Sequence, residues 1–377
     1  MLQRHNFVDL AEVQIAQGTL YCGGLDLHPF GGLQKSLEVY ASVITSFEDR
    51  HRFEEALDVY RTITALLPRM KSLKDFPWLL ASLECYVRKV IDIGVCKCNI
   101  RSFKPQSAFY EQLGPAGMLL LARLTDHIKT LEESFGIRII NLLDCKRGDI
   151  LTTQAAYFRG LMGNLQNDWG IDYAPYDFDI INVTPWMGDD VLVLEEKEKE
   201  LLGLQLMRQG KGIIIVNLSS NDSGPQYQKL MIVGKDKTLH MCNAEDLHNL
   251  SVKYDLEYEG LSTFGMVVGS THLCDGSIRK AFPGGTLLVP GFGAQGGDFS
   301  LIMLELINSG KWNGQGAIFS SSRGTMFPFL QKLGGSGLIK NLEPDLIAAV
   351  ANFRKNEKKA YEEKIVKDFG IVYPFAI

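Results

Sequence analysis

The chain has 377 residues, 46% of them hydrophobic and 22% charged, with a formal net charge of −5. Such a balance describes a well-packed soluble protein and excludes any general attraction to nucleic acid or an anionic membrane. An anionic substrate would need a local basic pocket.

No apolar stretch approaches the roughly 18 residues of a membrane span, and the first residues, "MLQRHNFVDLAEVQ", lack the apolar core of a signal peptide. The last, "YPFAI", carry no peroxisomal or retention address. Seven scattered cysteines favour a reducing cytoplasm over a disulfide framework. Cys96 and Cys98 have no second Cys or His pair at ligand spacing, and the histidines show no metal pattern, so no metal site is expected.

Eight short apolar runs recur along the chain. They are "GTLYCGGLD" (18–26), "CNIRSFKPQ" (98–106), "IRIINLLD" (137–144), "FDIINVTP" (178–185), "KGIIIVNLSSN" (211–221), "FGMVVGST" (264–271), "TLLVPGFG" (286–293) and "GAIFSSSRG" (316–324). Most are apolar on both faces, as parallel strands covered on both sides must be. Helical stretches separate them; "PAGMLLLARLTDHIKTLEESFG" (115–136) opens on Pro115 and stops at Gly136. Eight such units point to a (β/α)₈ TIM barrel in a single domain, 1–377, with a doubly wound open sheet as the structural alternative. The first two strands stand more than twice as far apart as an ordinary βαβ unit requires. Residues 33–95 between them have helical spacing, and are expected to form a helical insertion or an elaborated first crossover.

In a barrel the chemistry gathers at the C-terminal ends of the strands. There this sequence places Asp26 and His28, then Lys104, then Asp144, Lys146 and Asp149 in "LLDCKRGD", then the Ser-rich "LSSNDSG". Gly-rich "PGFGAQGGD" and "SSSRG" follow strands 7 and 8, the usual phosphate position; Gly291, Gly293, Gly296 and Gly297 would admit an anion to the backbone, and Arg323 adds a charged fork. Strand periodicity turns Asp144 and Lys146 to the same side. Plainer readings exist: an Asp144–Lys146 structural ion pair, a helix-capping Asp149, a surface Lys104, a structural His28. The serines lack a nucleophile-elbow pattern, which excludes a Ser-His-Asp hydrolase.

Taken in order, "GGLDLHP", "FKPQSAFYEQLGPAGM", "LLDCKRGDILTT", "VTPWMG", "SSNDSG", "VVGST", "LLVPGFGAQGGD" and "SSSRG" resemble orotidine 5′-monophosphate decarboxylase, in its longer bacterial-type subgroup. The resemblance covers roughly residues 18–355, apart from 33–95. It implies conversion of orotidine 5′-monophosphate to uridine 5′-monophosphate and carbon dioxide, without metal or organic cofactor, by an alternating array of Lys104, Asp144, Lys146 and Asp149. It also implies a homodimer in which Asp149 and Thr153 complete the partner's site. Substrate contacts would come from Asp26 at the ribose, Ser220 at the pyrimidine edge, Gln295 between base and phosphate, and Ser322 and Arg323 at the phosphate. Two departures stand out: "LSSND" (218–222) replaces the "RTSNP" frequent in relatives, and Thr184-Pro185 replaces Asn-Pro. Arg147 has no assigned role. The alternatives are a magnesium-dependent sugar-phosphate decarboxylase or aldolase of the same superfamily, and a non-enzymatic nucleotide-binding barrel. The first would need an acidic ligand where strand 2 supplies Lys104.

Overall fold

The structure is a computed structural model. It describes residues 6–193, 202–272, 274–292, 298–307, 316–330, 334–337 and 339–375. All eight expected strands form: β1 Tyr21–Gly24, β2 Ser102–Lys104, β3 Ile140–Arg147, β4 Ile180–Val183, β5 Gly212–Leu218, β6 Phe264–Val268, β7 Thr286–Pro290 and β8 Ala317–Ser321. They pair in parallel in chain order, and β8 returns to β1 with Tyr21 opposite Phe319 and Gly23 opposite Ser321. That closure excludes the open sheet.

The alternation of each strand explains what fills the barrel. Cys22, Ile140, Leu142, Ile180, Ile214, Val267, Leu288 and Ile318 point inward as one apolar cluster. Their strand neighbours Tyr21, Leu143, Ile181, Ile213, Met266 and Leu287 point outward beneath the helices. The N-terminal helix α1 (Asn6–Gln17) closes the lower end, adding Phe7, Leu10 and Val13 to the inner cluster. Each such side chain contributes about 1.5–3 kcal/mol of burial. The Gln14 side-chain amide donates to the carbonyl of Ala317 (2.6 Å), which fixes α1 to β8.

Between β1 and β2 lie α2 (Leu33–Ala41), α3 (Phe47–Leu66) and α4 (Phe76–Cys98). Ser46 and Asp49 form a reciprocal cap at the start of α3. The long α4 is buried along most of its length and packs on the barrel; its Tyr86 hydroxyl donates to the carbonyl of Met326. Ion pairs Lys89–Asp49 (3.2 Å) and Arg52–Asp92 (2.9 Å), with the Tyr60–Glu84 hydrogen bond (2.7 Å), hold α3 against α4. After β2 come the short α5 (Ser107–Glu111) and α6 (Gly114–Phe135), which ends on Gly136 in the left-handed region as its sequence predicts. Arg123 of α6 reaches Glu84 at 2.8 Å, so one buried carboxylate joins three helices. The helix α7 (Leu151–Leu161) follows β3.

Below β7 and β8 a buried pair does similar work. Arg279 donates to the carbonyls of Gly285 (2.5 Å), Gly316 (3.0 Å) and Glu305 (2.7 Å), while the Glu305 carboxylate accepts the N–H groups of Gly276 (2.9 Å) and Arg279 (2.7 Å). This clamp holds the chain as it enters both strands that carry the Gly-rich and Ser-Arg loops.

Among the described residues, no helix is long and apolar enough to cross a membrane.

Candidate active site

Two residues up each strand from the apolar layer, at the next inward position, most side chains are polar. Lys104, Asp144, Asn182, Val216, Pro290 and Ser320 ring the barrel mouth and line a cavity of about 380 Å³. Asp26, His28, Phe109, Lys146, Ser219, Ser220, Ser322 and Arg323 also line it.

Asp144 stands at the centre. Its Oδ2 accepts from the Lys104 Nζ at 2.9 Å, and its Oδ1 accepts from the Lys146 Nζ and from the Asn182 amide (2.6 Å). Burial alone would raise the Asp144 pKa, but Lys104, Lys146 and the Asn182 amide outweigh it and hold the carboxyl well below the usual range. Lys104 is the mirror case: burial acts to depress its pKa, and the carboxylates of Asp144 and Asp26 raise it instead. Lys104 is only 4% exposed, so the surface-lysine reading fails. Lys146 is half exposed at the mouth, where an incoming molecule can meet its ammonium.

Asp144 and Lys146 do meet, although not by strand periodicity. β3 and β4 run in register through Leu143–Ile181, then shift until Arg147 pairs with Val183. Four steps along β3 thus match two along β4, a bulge of two residues. Lys146 lies inside it with φ of 47°, a left-handed backbone that lysine rarely adopts. The bulge swings Lys146 back to the Asp144 carboxylate. Beyond it, Gly148 passes flush against the end of β4, where a Cβ would collide with the Thr184 hydroxyl.

Asp149 and Thr153 do not line this cavity. The Asp149 N–H donates to the Gln154 side chain (3.1 Å), and its carboxylate accepts only the adjacent Ile150 N–H (2.7 Å) among the described residues. The capping residue of α7 is Ile150, which has no side-chain cap, so the helix-cap reading of Asp149 fails too. Thr153 is exposed on the first turn of α7.

The remaining sites divide. Asp26 lines the cavity with a buried Oδ1 that has no hydrogen-bond partner among the described residues, an open acceptor for a ligand hydroxyl. Ser220, Ser322 and Arg323 line it as well, and Arg323 has no ion-pair partner among the described residues. Gln295, with Gly293, Gly296 and Gly297, lies outside the described residues. Gly291 lines the cavity with a φ of 105°, open only to glycine.

Two residues gain a place that sequence reasoning did not give them. His28 is a wall residue, edge-on to Phe109 with ring centroids 4.7 Å apart. Burial, opposed by Asp26 and aided by Arg323, keeps its pKa below the usual histidine value. Asn182 is fully buried and bonded to three groups of β3. Its signal was a single amide inside the apolar run "FDIINVTP". Arg147, unassigned from sequence, pairs with Glu111 of α5 and lies over the Tyr157 ring of α7 (5.4 Å), which ties the end of β3 to both helices.

No protein-family model matches the chain. Curated relatives do. It is 36% identical over 227 residues to orotidine 5′-phosphate decarboxylase of Rhodopirellula baltica, covering 59% of this chain and 67% of the relative. With the enzyme of Clostridium tetani it shares 32% over 244 residues, 64% and 73% of the two chains. Among solved structures, orotidine 5′-monophosphate decarboxylase of Plasmodium berghei superposes with a TM-score of 0.62 at 15% identity, covering 95% of this chain and 99% of the other. Leishmania donovani OMP decarboxylase gives 0.57 at 18%, covering 94% and 98%. The solved structures share the barrel, and the curated sequences carry the likeness further: the chain belongs to the orotidine 5′-phosphate decarboxylase family.

Proposed function

We propose that this chain removes carbon dioxide from orotidine 5′-monophosphate to give uridine 5′-monophosphate, using Lys104, Asp144 and Lys146 of its own barrel and Asp149 of a second copy. The observation that carries the reading is the Asp144 carboxylate held between two ammonium groups at the mouth of a closed barrel. Membership of a family whose curated relatives bear that activity in their names supports the substrate.

Loss of carbon dioxide from C6 of the pyrimidine leaves an electron pair in the ring plane, with no ring system to absorb it. A fixed ammonium beside C6 lowers the energy of that carbanion and then delivers its proton, the role of Lys146. Asp144 faces the substrate carboxylate; the repulsion is relieved as carbon dioxide departs. Lys104 keeps Asp144 ionised and in place, and with Asp26 it receives the ribose hydroxyls. Ser220 contacts the pyrimidine edge. Ser322 and Arg323 hold the phosphate, with Gln295 reaching between base and phosphate. Binding energy at the phosphate, remote from C6, is available for ordering the reacting groups. No step calls for a metal or an organic cofactor.

Support for a second copy comes from the absence of Asp149 and Thr153 from the lining of their own cavity. Ile150, between them in the chain, is 65% exposed, and Trp186, just after β4, is 64% exposed. An isologous dimer through this face would cover them and bring each Asp149 to the neighbour's Lys146. Residues 33–95 read as an elaborated first crossover within one barrel domain, 1–377. Seven free thiols suit a reducing cytoplasm.

The test is the absorbance change of orotidine 5′-monophosphate on decarboxylation. Wild type is expected to turn over, also after exhaustive chelation, while Lys146→Ala remains folded and inert. Absent wild-type turnover, or dependence on added magnesium, refutes the proposal.

A further inference from the structure

The bulge that delivers Lys146 to Asp144 leaves backbone groups without ladder partners. In a parallel pair each N–H of β3 would find a carbonyl of β4 or β2. Asp144 N–H still donates to the Pro105 carbonyl (3.0 Å), and beyond the bulge Thr184 N–H donates to the Arg147 carbonyl (2.7 Å). Between them the N–H groups of Cys145 and Lys146, which a regular strand would give to β4 and to the β2 side in turn, make no main-chain bond among the described residues. Both donate instead to one atom, the Oδ1 of Asn182, at 2.7 Å each. The same carboxamide turns its Nδ2 to Asp144 Oδ1 at 2.6 Å.

These contacts set two things at once. The paired N–H bonds hold the left-handed backbone of Lys146, from which its side chain projects into the cavity. The Nδ2 bond fixes the plane of the Asp144 carboxylate and leaves its other oxygen to Lys104. An apolar residue at 182 would fit the strand equally well, since its neighbours Ile180, Ile214 and Val216 are apolar. The amide therefore answers to β3 and not to the packing of β4.

We infer that Asn182 is a positioning residue of the decarboxylation, aiming the Lys146 ammonium and orienting Asp144 through the bulge of β3. This rests on the reading of Lys146 as the proton donor. Asn182 touches no substrate atom in that role, and acts through its two neighbours.

Asn182→Leu keeps the branched shape and heavy-atom count of the side chain, with methyl groups in place of the amide oxygen and nitrogen, and removes all three bonds. It is expected to lower kcat by about 10²-fold, the scale of an ångström of misplacement. The affinity for uridine 5′-monophosphate, measured by calorimetry, is expected to stay within about threefold, because the phosphate grip lies across the barrel. Equal losses in kcat and product affinity, or no loss in kcat, would overturn the inference.

Asn182→Asp is the second variant, and serves also if the leucine variant fails to fold. It retains the acceptor for both N–H groups but loses the donor to Asp144. The groups facing position 182 are Asp144, Cys145 and Lys146 of β3 and, beyond Asp144, Lys104 of β2; β5 presents only aliphatic side chains. The introduced carboxyl, once protonated, would donate to Asp144 as the amide does. The variant is therefore expected to show kcat rising toward acid pH relative to wild type, and a profile parallel to wild type would contradict the proposal. Wild type and Lys146→Ala are run alongside: an active wild type with an inert Lys146→Ala keeps the underlying mechanism, so failure at position 182 alone is distinguishable.

Discussion

Lys104 and Asp144 lie side by side on β2 and β3, 2.9 Å from nitrogen to oxygen, with both side chains removed from bulk water. A buried pair of this kind is costly to break from one side, since the remaining charge loses its partner and cannot regain its hydration.

Asp144→Ala is accordingly expected to abolish turnover and also to destabilise the fold, by about 3–5 kcal/mol. Two ammonium groups would then face each other across the mouth. Urea unfolding of the purified variant checks this; stability equal to wild type would mean the pair is solvated in practice.

Lys104→Ala and Asp149→Ala, each inert alone, are expected to recover activity when unfolded together and refolded. In the mixed dimer one site collects both mutations and the other is intact, so a random mixture should show about one quarter of wild-type activity. No recovery would place the whole site within a single chain.

Arg323→Ala should weaken binding of uridine 5′-monophosphate by about 10- to 100-fold, the range of a lost hydrogen bond to a charged group. Uridine, which lacks the phosphate, should bind both proteins alike. A comparable loss for uridine would assign Arg323 to the base or sugar.

Glu357 predicts a pH dependence of stability at the opposite end of the barrel. It is fully buried on the helix Leu342–Tyr361, accepts from Thr19 and from the Leu20 N–H (3.2 Å), and burial pushes its pKa up to about 7. A carboxyl that holds its proton more tightly when folded adds stability fully present below its unfolded pKa and lost as pH rises through the folded value. Wild type should therefore lose on the order of 3 kcal/mol between mildly acidic and mildly alkaline pH, and Glu357→Gln should lose less over the same interval. Parallel curves in urea titrations would exclude Glu357 as the source.

The eight strands were legible because each is a short apolar run between polar breaks. The polar rim was legible because charge at the end of a buried strand is too costly to persist without a partner or a ligand. Closure of the sheet was legible through the count of eight strand–helix units, which favours a barrel over the open sheet; the meeting of β1 with β8 across nearly the whole chain is stated by no local pattern. α1 escaped notice because its three inner residues, Phe7, Leu10 and Val13, resemble any amphipathic stretch until the barrel they plug exists. Strand alternation predicts the meeting of Asp144 with Lys146, but for the wrong reason. The structure uses a bulge and a left-handed lysine, whose signal is the distant Asn182.

The closed floor of the barrel has a kinetic consequence. With Phe7, Leu10 and Val13 packed beneath the apolar layer, the cavity is closed at that end among the described residues. On the proposed reaction, gas and nucleotide would both leave by the mouth, past the half-exposed Lys146. Departure would then be a queue, in which the small neutral product can slip out first and a nucleotide held through its phosphate would leave last.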